Sequence, residues 1–90
     1  MHLILYSKVG CHLCEGLEQK LRSILTAADR LEIREITSNA DWWNAYQYEI
    51  PVLYIVQSEQ ENILPRLSPR APITQLQTML QQHGGENKAQ

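Results

Sequence analysis

Short apolar runs and segments with helical spacing alternate along this chain and predict a mixed α/β protein. The apolar runs predict four strands, at residues 2–6, 31–36, 51–56 and 63–64. The helical spacing predicts three helices, which begin near residues 11, 39 and 72. The element order is therefore β-α-β-α-β-β-α.

This order constrains the topology. A strand, a helix and a second strand in succession predict a right-handed parallel crossover, while the last two strands are close enough to pair as a hairpin around a polar turn at 57–62. Ninety residues suffice for one core. We expect a single domain over residues 1–83 and a disordered tail over 84–90, because Gly84 and Gly85 end the last helix.

Several residues have predicted places within the helices. Leu13 belongs to the apolar stripe of the first helix and is expected to face the core. Ser38 or Asn39 can cap the second helix. Adjacent helical residues face about 100° apart, so at most one of Trp42 and Trp43 can be fully buried. Pro72 suits the first position of the last helix.

Charge and hydropathy exclude several classes of protein. The 8 basic and 10 acidic residues give a net charge of -2, which provides no electrostatic surface for nucleic acid or anionic lipid. No apolar stretch approaches the roughly 20 residues that a membrane span requires. The N-terminal residues lack a secretory signal pattern. We therefore expect a cytoplasmic protein, in a compartment where thiols are kept reduced.

The two cysteines, Cys11 and Cys14, lie where the first strand gives way to the first helix. A structural disulfide there would close a very short loop and stabilise little. At a helix N-terminus, unpaired amides and the helix dipole lower the pKa of a thiol. We expect Cys11 to be the exposed nucleophile and Cys14 the covered resolving thiol, with a protonated His12 adding positive charge. This arrangement indicates thiol–disulfide exchange.

Zinc binding is the main alternative use of a C-x-x-C pair. A structural zinc site needs about four ligands, and the cysteines supply two. The histidines are spread along the chain and form no second closely spaced pair. We therefore expect no metal site.

Two motifs give the chain a resemblance to a known family. "YSKVGCHLC" follows the first strand, and "YEIPVLYI" comes about forty residues later. With the element order, they resemble glutaredoxin within the thioredoxin fold, over about residues 3–80. The resemblance implies a four-stranded mixed sheet of order 2-1-3-4. It also implies that Cys11 attacks, that Cys14 resolves and that Pro51 is a cis-proline facing them.

The resemblance also assigns substrate-binding roles. The backbone of Ile50, before Pro51, would pair with an extended substrate or with glutathione. Lys8 would pair with a glutathione carboxylate or lower the thiol pKa. Gly10 would let the chain approach the sulfur closely.

The chain departs from glutaredoxin before the last helix. Glutaredoxins that bind glutathione well carry Gly-Gly-x-x-Asp there, whereas this chain reads "LPRLSPRAPITQL". We therefore expect a monomeric oxidoreductase with no tightly bound cofactor, acting on protein or small-molecule disulfides. Glutathione is a candidate co-substrate, and glutathione or a thioredoxin-type protein a candidate reductant. The alternatives are an iron–sulfur carrier that uses Cys11 and glutathione, and a redox-idle interaction module.

Overall fold

The computed structural model describes residues 1–85 and confirms the predicted order of strands and α-helices. The residues 86–90 of the predicted tail lie outside the described part. The elements are β1 (His2–Ser7), α1 (His12–Ile24), β2 (Arg30–Glu35), α2 (Ala40–Tyr46), β3 (Val52–Gln57), β4 (Gln60–Ile63) and α3 (Ile73–Leu80). A 3-10 turn, Ile36–Ser38, precedes α2, and a π-helical turn, Gln81–Gly85, follows α3.

The strands form one four-stranded sheet of order β2-β1-β3-β4, as predicted. Strand β1 pairs in parallel with β2 and antiparallel with β3, and β3 pairs antiparallel with β4. The central register places Leu5 beside Ile33 on one side and Leu53 on the other. Because β1 and β3 are the two inner strands, both read as nearly continuous apolar runs.

The fourth strand begins earlier than predicted. Gln57 pairs with Gln60 across a two-residue turn, in which Ser58 and Glu59 have φ of 52° and 65°. Two successive residues with positive φ are typical of a tight hairpin turn whose twist matches that of the strands. The predicted polar turn at 57–62 is therefore too long, because only Ser58 and Glu59 form the turn. Its residues are polar because β4 is an exposed edge strand.

The two faces of the sheet carry different cores. Helices α1 and α3 cover a purely aliphatic and methionine face, built from Leu3, Leu5, Leu21, Leu53, Ile55, Leu64, Leu76, Met79 and Leu80. Helix α2 covers the other face, where Trp42, Tyr46 and Tyr54 pack against Ile4, Tyr6, Ile36 and Val52. Within the described chain, no helix has the length and apolar character that a membrane crossing requires.

Several local predictions are confirmed or corrected. Asn39 caps α2, its Oδ1 accepting hydrogen bonds from Asp41 and Trp42 at 2.9 and 3.2 Å. Trp42 is half-buried and Trp43 exposed, so neither is fully in the core. Leu13 is 54% exposed, because the core-facing stripe of α1 passes through Cys14 and Leu21 instead.

The last helix also differs in detail. Pro72 is the N-cap of α3 rather than its first residue, with its carbonyl accepting from Gln75 and Leu76. Gly84 and Gly85, predicted to begin the tail, belong to the π-helical turn. A Cβ added at Gly84 would meet Ile55 at 2.5 Å, so the turn packs closely against β3. The side-chain amide of Gln57 donates to the His83 carbonyl at 2.7 Å and holds the turn there.

Candidate active site

A tight turn carries the chain from β1 to the first cysteine. The Cys11 amide donates to the Lys8 carbonyl at 3.1 Å, and Gly10 occupies the third position with φ of +87°. That position favours glycine. A Cβ added at Gly10 would meet nothing within 4 Å outside the neighbouring residues, and the expected close approach of the chain to the Cys11 sulfur stays a prediction. Glycine is required there by the turn itself.

Glu35, at the end of β2, anchors this turn from the neighbouring strand. Its Oε1 accepts a hydrogen bond from the Val9 amide at 3.0 Å. Its Oε2 accepts from the Thr37 hydroxyl at 2.8 Å. Parallel pairing places Ser7 beside Glu35, so the carboxylate lies where β1 ends. This contact could not be predicted from the sequence, because it depends on the register between two strands.

The two cysteines occupy the first turn of α1 and are joined as a disulfide. Cys11 is the N-cap, in extended conformation, and its Sγ accepts a hydrogen bond from the Cys14 amide at 3.2 Å. Their Cα atoms are 5.3 Å apart, within the usual disulfide range. Cys11 is half-buried, whereas Cys14 is fully buried. The expected difference in exposure between the two residues is thus confirmed.

The side chain of His12 points into solvent beside the cysteines. It is 95% exposed, and its Nδ1 lies 3.7 Å from Oε1 of Glu15. The Glu15 carboxylate lies one turn along α1 from His12 and is a partner that the C-x-x-C motif does not indicate. Lys8 contributes its carbonyl to the turn, and its side chain is half-buried. The predicted roles of His12 and Lys8 toward the thiol or substrate remain predictions.

The peptide bond between Ile50 and Pro51 is cis, as the resemblance implies. Pro51 lines the same groove as His12 and Leu13 of the first turn of α1, and the implied position of Pro51 facing the cysteines stays a prediction. The Ile50 amide donates to the Tyr46 carbonyl at 3.1 Å. That donor is already used within the protein, so the predicted pairing of Ile50 with an extended substrate rests on its carbonyl.

A groove of about 360 Å³ runs along α1 and is lined in the first turn of that helix by His12 and Leu13, the two residues between the cysteines. Its walls are α1, the segment before β3, and the loop between β4 and α3, and most of its lining is apolar. The Lys20 ammonium crosses one end and donates to the carbonyls of Pro69 and Ala71 at 3.1 and 3.0 Å. Arg66 also lines the groove, and its guanidinium donates to the Glu49 carbonyl. The groove could not be predicted from the sequence, because a loop distant in sequence forms one wall.

Tyr46 lines the groove with an uncharged side chain. Its hydroxyl shares a 2.8 Å hydrogen bond with that of Tyr54. Burial, reinforced by this bond, raises the pKa of Tyr46 well above its usual range. The phenol therefore stays protonated at physiological pH. Among residues 1–85, no group of three or more His, Cys, Asp or Glu side chains could hold a metal ion.

Comparisons with known proteins agree with this geometry. The family model described as the glutaredoxin-like domain (DUF836) matches residues 2–81, and the chain therefore belongs to the glutaredoxin-like domain family. Its fold is also similar to that of thioredoxin 1 from Thermosipho africanus TCF52B. The TM-score is 0.68 at 13% identity, over 98% of this chain and 99% of that one. This likeness establishes a thioredoxin-like fold. No curated protein matches the chain significantly.

Proposed function

We propose that this protein is a thiol–disulfide oxidoreductase, with Cys11 as the attacking thiol and Cys14 as the resolving thiol. One observation carries the proposal. A disulfide spans the first turn of α1 and joins a half-buried N-cap cysteine to a fully buried one. The more exposed cysteine can meet a substrate, and the buried cysteine is within bonding distance of it. Membership of the glutaredoxin-like family supports the same chemistry.

The reaction proceeds in two exchange steps from the reduced protein. The Cys11 thiolate attacks one sulfur of the substrate disulfide, forms a mixed disulfide and releases the other sulfur as a thiolate. Cys14, as its thiolate, then attacks the Cys11 sulfur and releases the second substrate thiolate. The two released thiolates take up two protons, which balance the two protons lost by the protein thiols. The substrate disulfide gains two electrons, and the protein dithiol becomes the disulfide of the structure.

Helix α1 assists the first step. At the N-cap, the Cys11 sulfur accepts a hydrogen bond from the Cys14 amide and lies at the positive end of the helix dipole. Both interactions favour the thiolate over the thiol, so we expect the Cys11 thiol to have a pKa below about 8.5. The buried Cys14 has no such access to solvent, and its role is confined to the intramolecular step.

Protein disulfides are the proposed substrates, and the proposed setting is the cytoplasm. The loop where glutaredoxins carry Gly-Gly-x-x-Asp contains Pro69 instead. Lys20 of α1 donates a hydrogen bond to the Pro69 carbonyl and so holds this loop against the helix. Proline also removes an amide that could bind the γ-glutamyl group of glutathione. We propose a monomer that needs no bound cofactor. Glutathione or a thioredoxin-type protein would return it to the dithiol form.

Two single-cysteine variants test the proposal. Cys11→Ser should abolish reduction of a peptide disulfide, because no exposed thiol remains to attack. Cys14→Ser should accumulate a mixed disulfide of the protein and the peptide, visible by mass spectrometry. An equal loss in both variants without a trapped adduct would contradict the assigned roles. If the reduced native protein left the peptide disulfide intact, the protein would be a redox-idle module.

A further inference from the structure

Gly16 lies inside α1, where glycine destabilises a helix relative to alanine. Nothing in the packing requires glycine there. A Cβ added at this position would meet no atom within 4 Å. The open space beside Gly16 is the groove, which Gly16 lines together with His12 and Leu13 of the first turn of α1. The missing side chain thus keeps the groove wide at one point along α1.

The groove has the size and lining of a binding site. Its volume of about 360 Å³ falls within the range of known ligand pockets, about 300–1,000 Å³. Leu13, Gly16 and Leu17 form one wall, and Leu64 and Leu67 lie in the loop that forms the opposite wall. Because the lining is mostly apolar, the groove suits an apolar group of substantial size.

The two basic side chains of the groove, Lys20 and Arg66, differ in whether a carboxylate lies close to them. Lys20 donates its two described hydrogen bonds to backbone carbonyls, which do not neutralise its charge. Arg66, by contrast, lies 3.9 Å from a carboxylate oxygen of Glu49. The Lys20 end of the groove is therefore a place where a carboxylate of the bound partner would be favoured.

We propose that this groove docks the disulfide-bearing polypeptide, which inserts a bulky apolar side chain beside Gly16 and places a carboxylate near Lys20. The proposal rests on the proposed function, since it names the substrate of that reaction. A polypeptide fits better than a free ligand, because the groove is continuous with the first turn of α1, where His12 and Leu13 line it. A chain held by Cys11 can reach the groove directly.

Helix geometry gives the spacing that the substrate needs. Gly16 and Lys20 lie five and nine residues beyond Cys11, which is about 7.5 Å and about 13.5 Å along the axis. An extended chain covers about 3.3 Å per residue. The apolar residue should therefore lie about two positions from the substrate cysteine, and the acidic residue about four.

Synthetic peptides test this spacing. The probe is acetyl-Cys-Gly-Phe-Gly-Glu-amide with its cysteine linked to thiopyridine, so that attack by reduced protein on the cysteine sulfur releases thiopyridone. A second peptide has Gly for Phe, and a third has Gln for Glu. We expect the probe to react about tenfold faster than the Gly peptide, given the value of burying a large apolar side chain. The Gln peptide should react a few-fold more slowly than the probe.

Variants of α1 locate the effect. Gly16→Leu should fill the groove and bring the ratio of the Phe and Gly peptides close to one. Gly16→Ala, which adds one methyl group into open space, should reduce the ratio and keeps the test valid if the leucine variant does not fold. Gln19→Leu adds a similar side chain on the exposed side of the same helix and should leave the ratio unchanged. Lys20→Gln should remove the difference between Glu and Gln peptides.

Binding without exchange separates this proposal from the proposed function. The probe with Ser for Cys should shift the amide resonances of Gly16 and Leu67 in the native protein. Such shifts in a protein that reacts with none of the thiopyridyl peptides would support docking and refute the oxidoreductase. Equal reaction of the Phe and Gly peptides, with no shifts, would overturn docking and leave the oxidoreductase standing. If Gln19→Leu also brought the rate ratio of the Phe and Gly peptides close to one, docking would be overturned as well.

Discussion

The two faces of the sheet bury their side chains by different means. The face under α1 and α3 is closed by aliphatic and methionine side chains, and Leu3, Leu5 and Leu21 are completely buried there. The other face has only α2, which spans 7 residues and contributes no fully buried residue. Aromatic rings and a charged network cover the rest of that face.

Arg34 is the centre of this network. Its guanidinium lies 5.5 Å from the ring centroids of both Tyr6 and Trp42. It donates to Glu32 at 2.8 Å, to Glu61 at 2.9 Å and to the Tyr6 hydroxyl at 2.7 Å. The side chain is 18% exposed, so these interactions are only partly screened by water.

The contrast between the two faces separates the candidate active site from the charged network that stabilises the α2 face. The disulfide and the α1 wall of the groove belong to the aliphatic face, whose core contains no ionisable side chain. The charged network belongs to the opposite face. Changes to the network should therefore alter stability while leaving the chemistry of Cys11 in place. Three changes test this comparison.

Leu21→Ala should have the largest effect on stability, a loss of about 2–5 kcal/mol, because it leaves a cavity in the aliphatic core. Leu13→Ala is the matched control, with the same substitution in the same helix at a residue that is 54% exposed. It should cost less than about 1 kcal/mol. Denaturant unfolding measures both. Equal losses would mean that the two leucines are buried alike.

Arg34→Met should cost about 1–3 kcal/mol, because Glu32 and Glu61 lose their shared partner and two aromatic rings lose a cation. The matched control is Arg22→Met, which removes an exposed arginine paired with Glu18 within α1. That pair should be worth less than about 1 kcal/mol. A loss of exchange activity in Arg34→Met, at a temperature where it is folded, would contradict the separation of the two faces.

Acid should destabilise the α2 face through Glu32. The hydrogen bond from Arg34 holds the pKa of Glu32 below its ordinary value of 4.5. A depressed pKa in the folded state stabilises the protein above about pH 4.5, and this contribution is lost as pH falls through the folded value. Glu32→Gln should flatten that loss, measured as the pH dependence of the unfolding free energy. In the Arg34→Met background, Glu32→Gln should alter the pH dependence of the unfolding free energy much less.

Much of the fold could be predicted from sequence because its inner strands are unambiguous. The runs at Leu3–Tyr6 and Val52–Val56 are apolar on both faces, as inner strands must be. The edge strand β4 could not be placed in the same way, since its exposed residues follow no hydrophobic period. Leu13 was misassigned for a related reason. An apolar residue with helical spacing can line an open groove as well as a core.

The cysteines could also be located from sequence, because a C-x-x-C pair at a helix start depends on local geometry alone. The contacts of Glu35 with Val9, and of Lys20 with the loop at Pro69, join segments far apart in the chain. Gly16 gave no signal in the sequence, because a glycine in a helix acquires meaning only when the space beside it is known.

The reactivity of the two thiols in the reduced protein tests the central claim most directly. The measurement is the rate of alkylation by iodoacetamide as a function of pH, with mass spectrometry assigning the modified residue. We expect Cys11 to react first, with a midpoint below about 8.5, and Cys14 to react slowly while the protein is folded. Equal reactivity of both thiols, or a Cys11 midpoint at or above about 8.5, would contradict it.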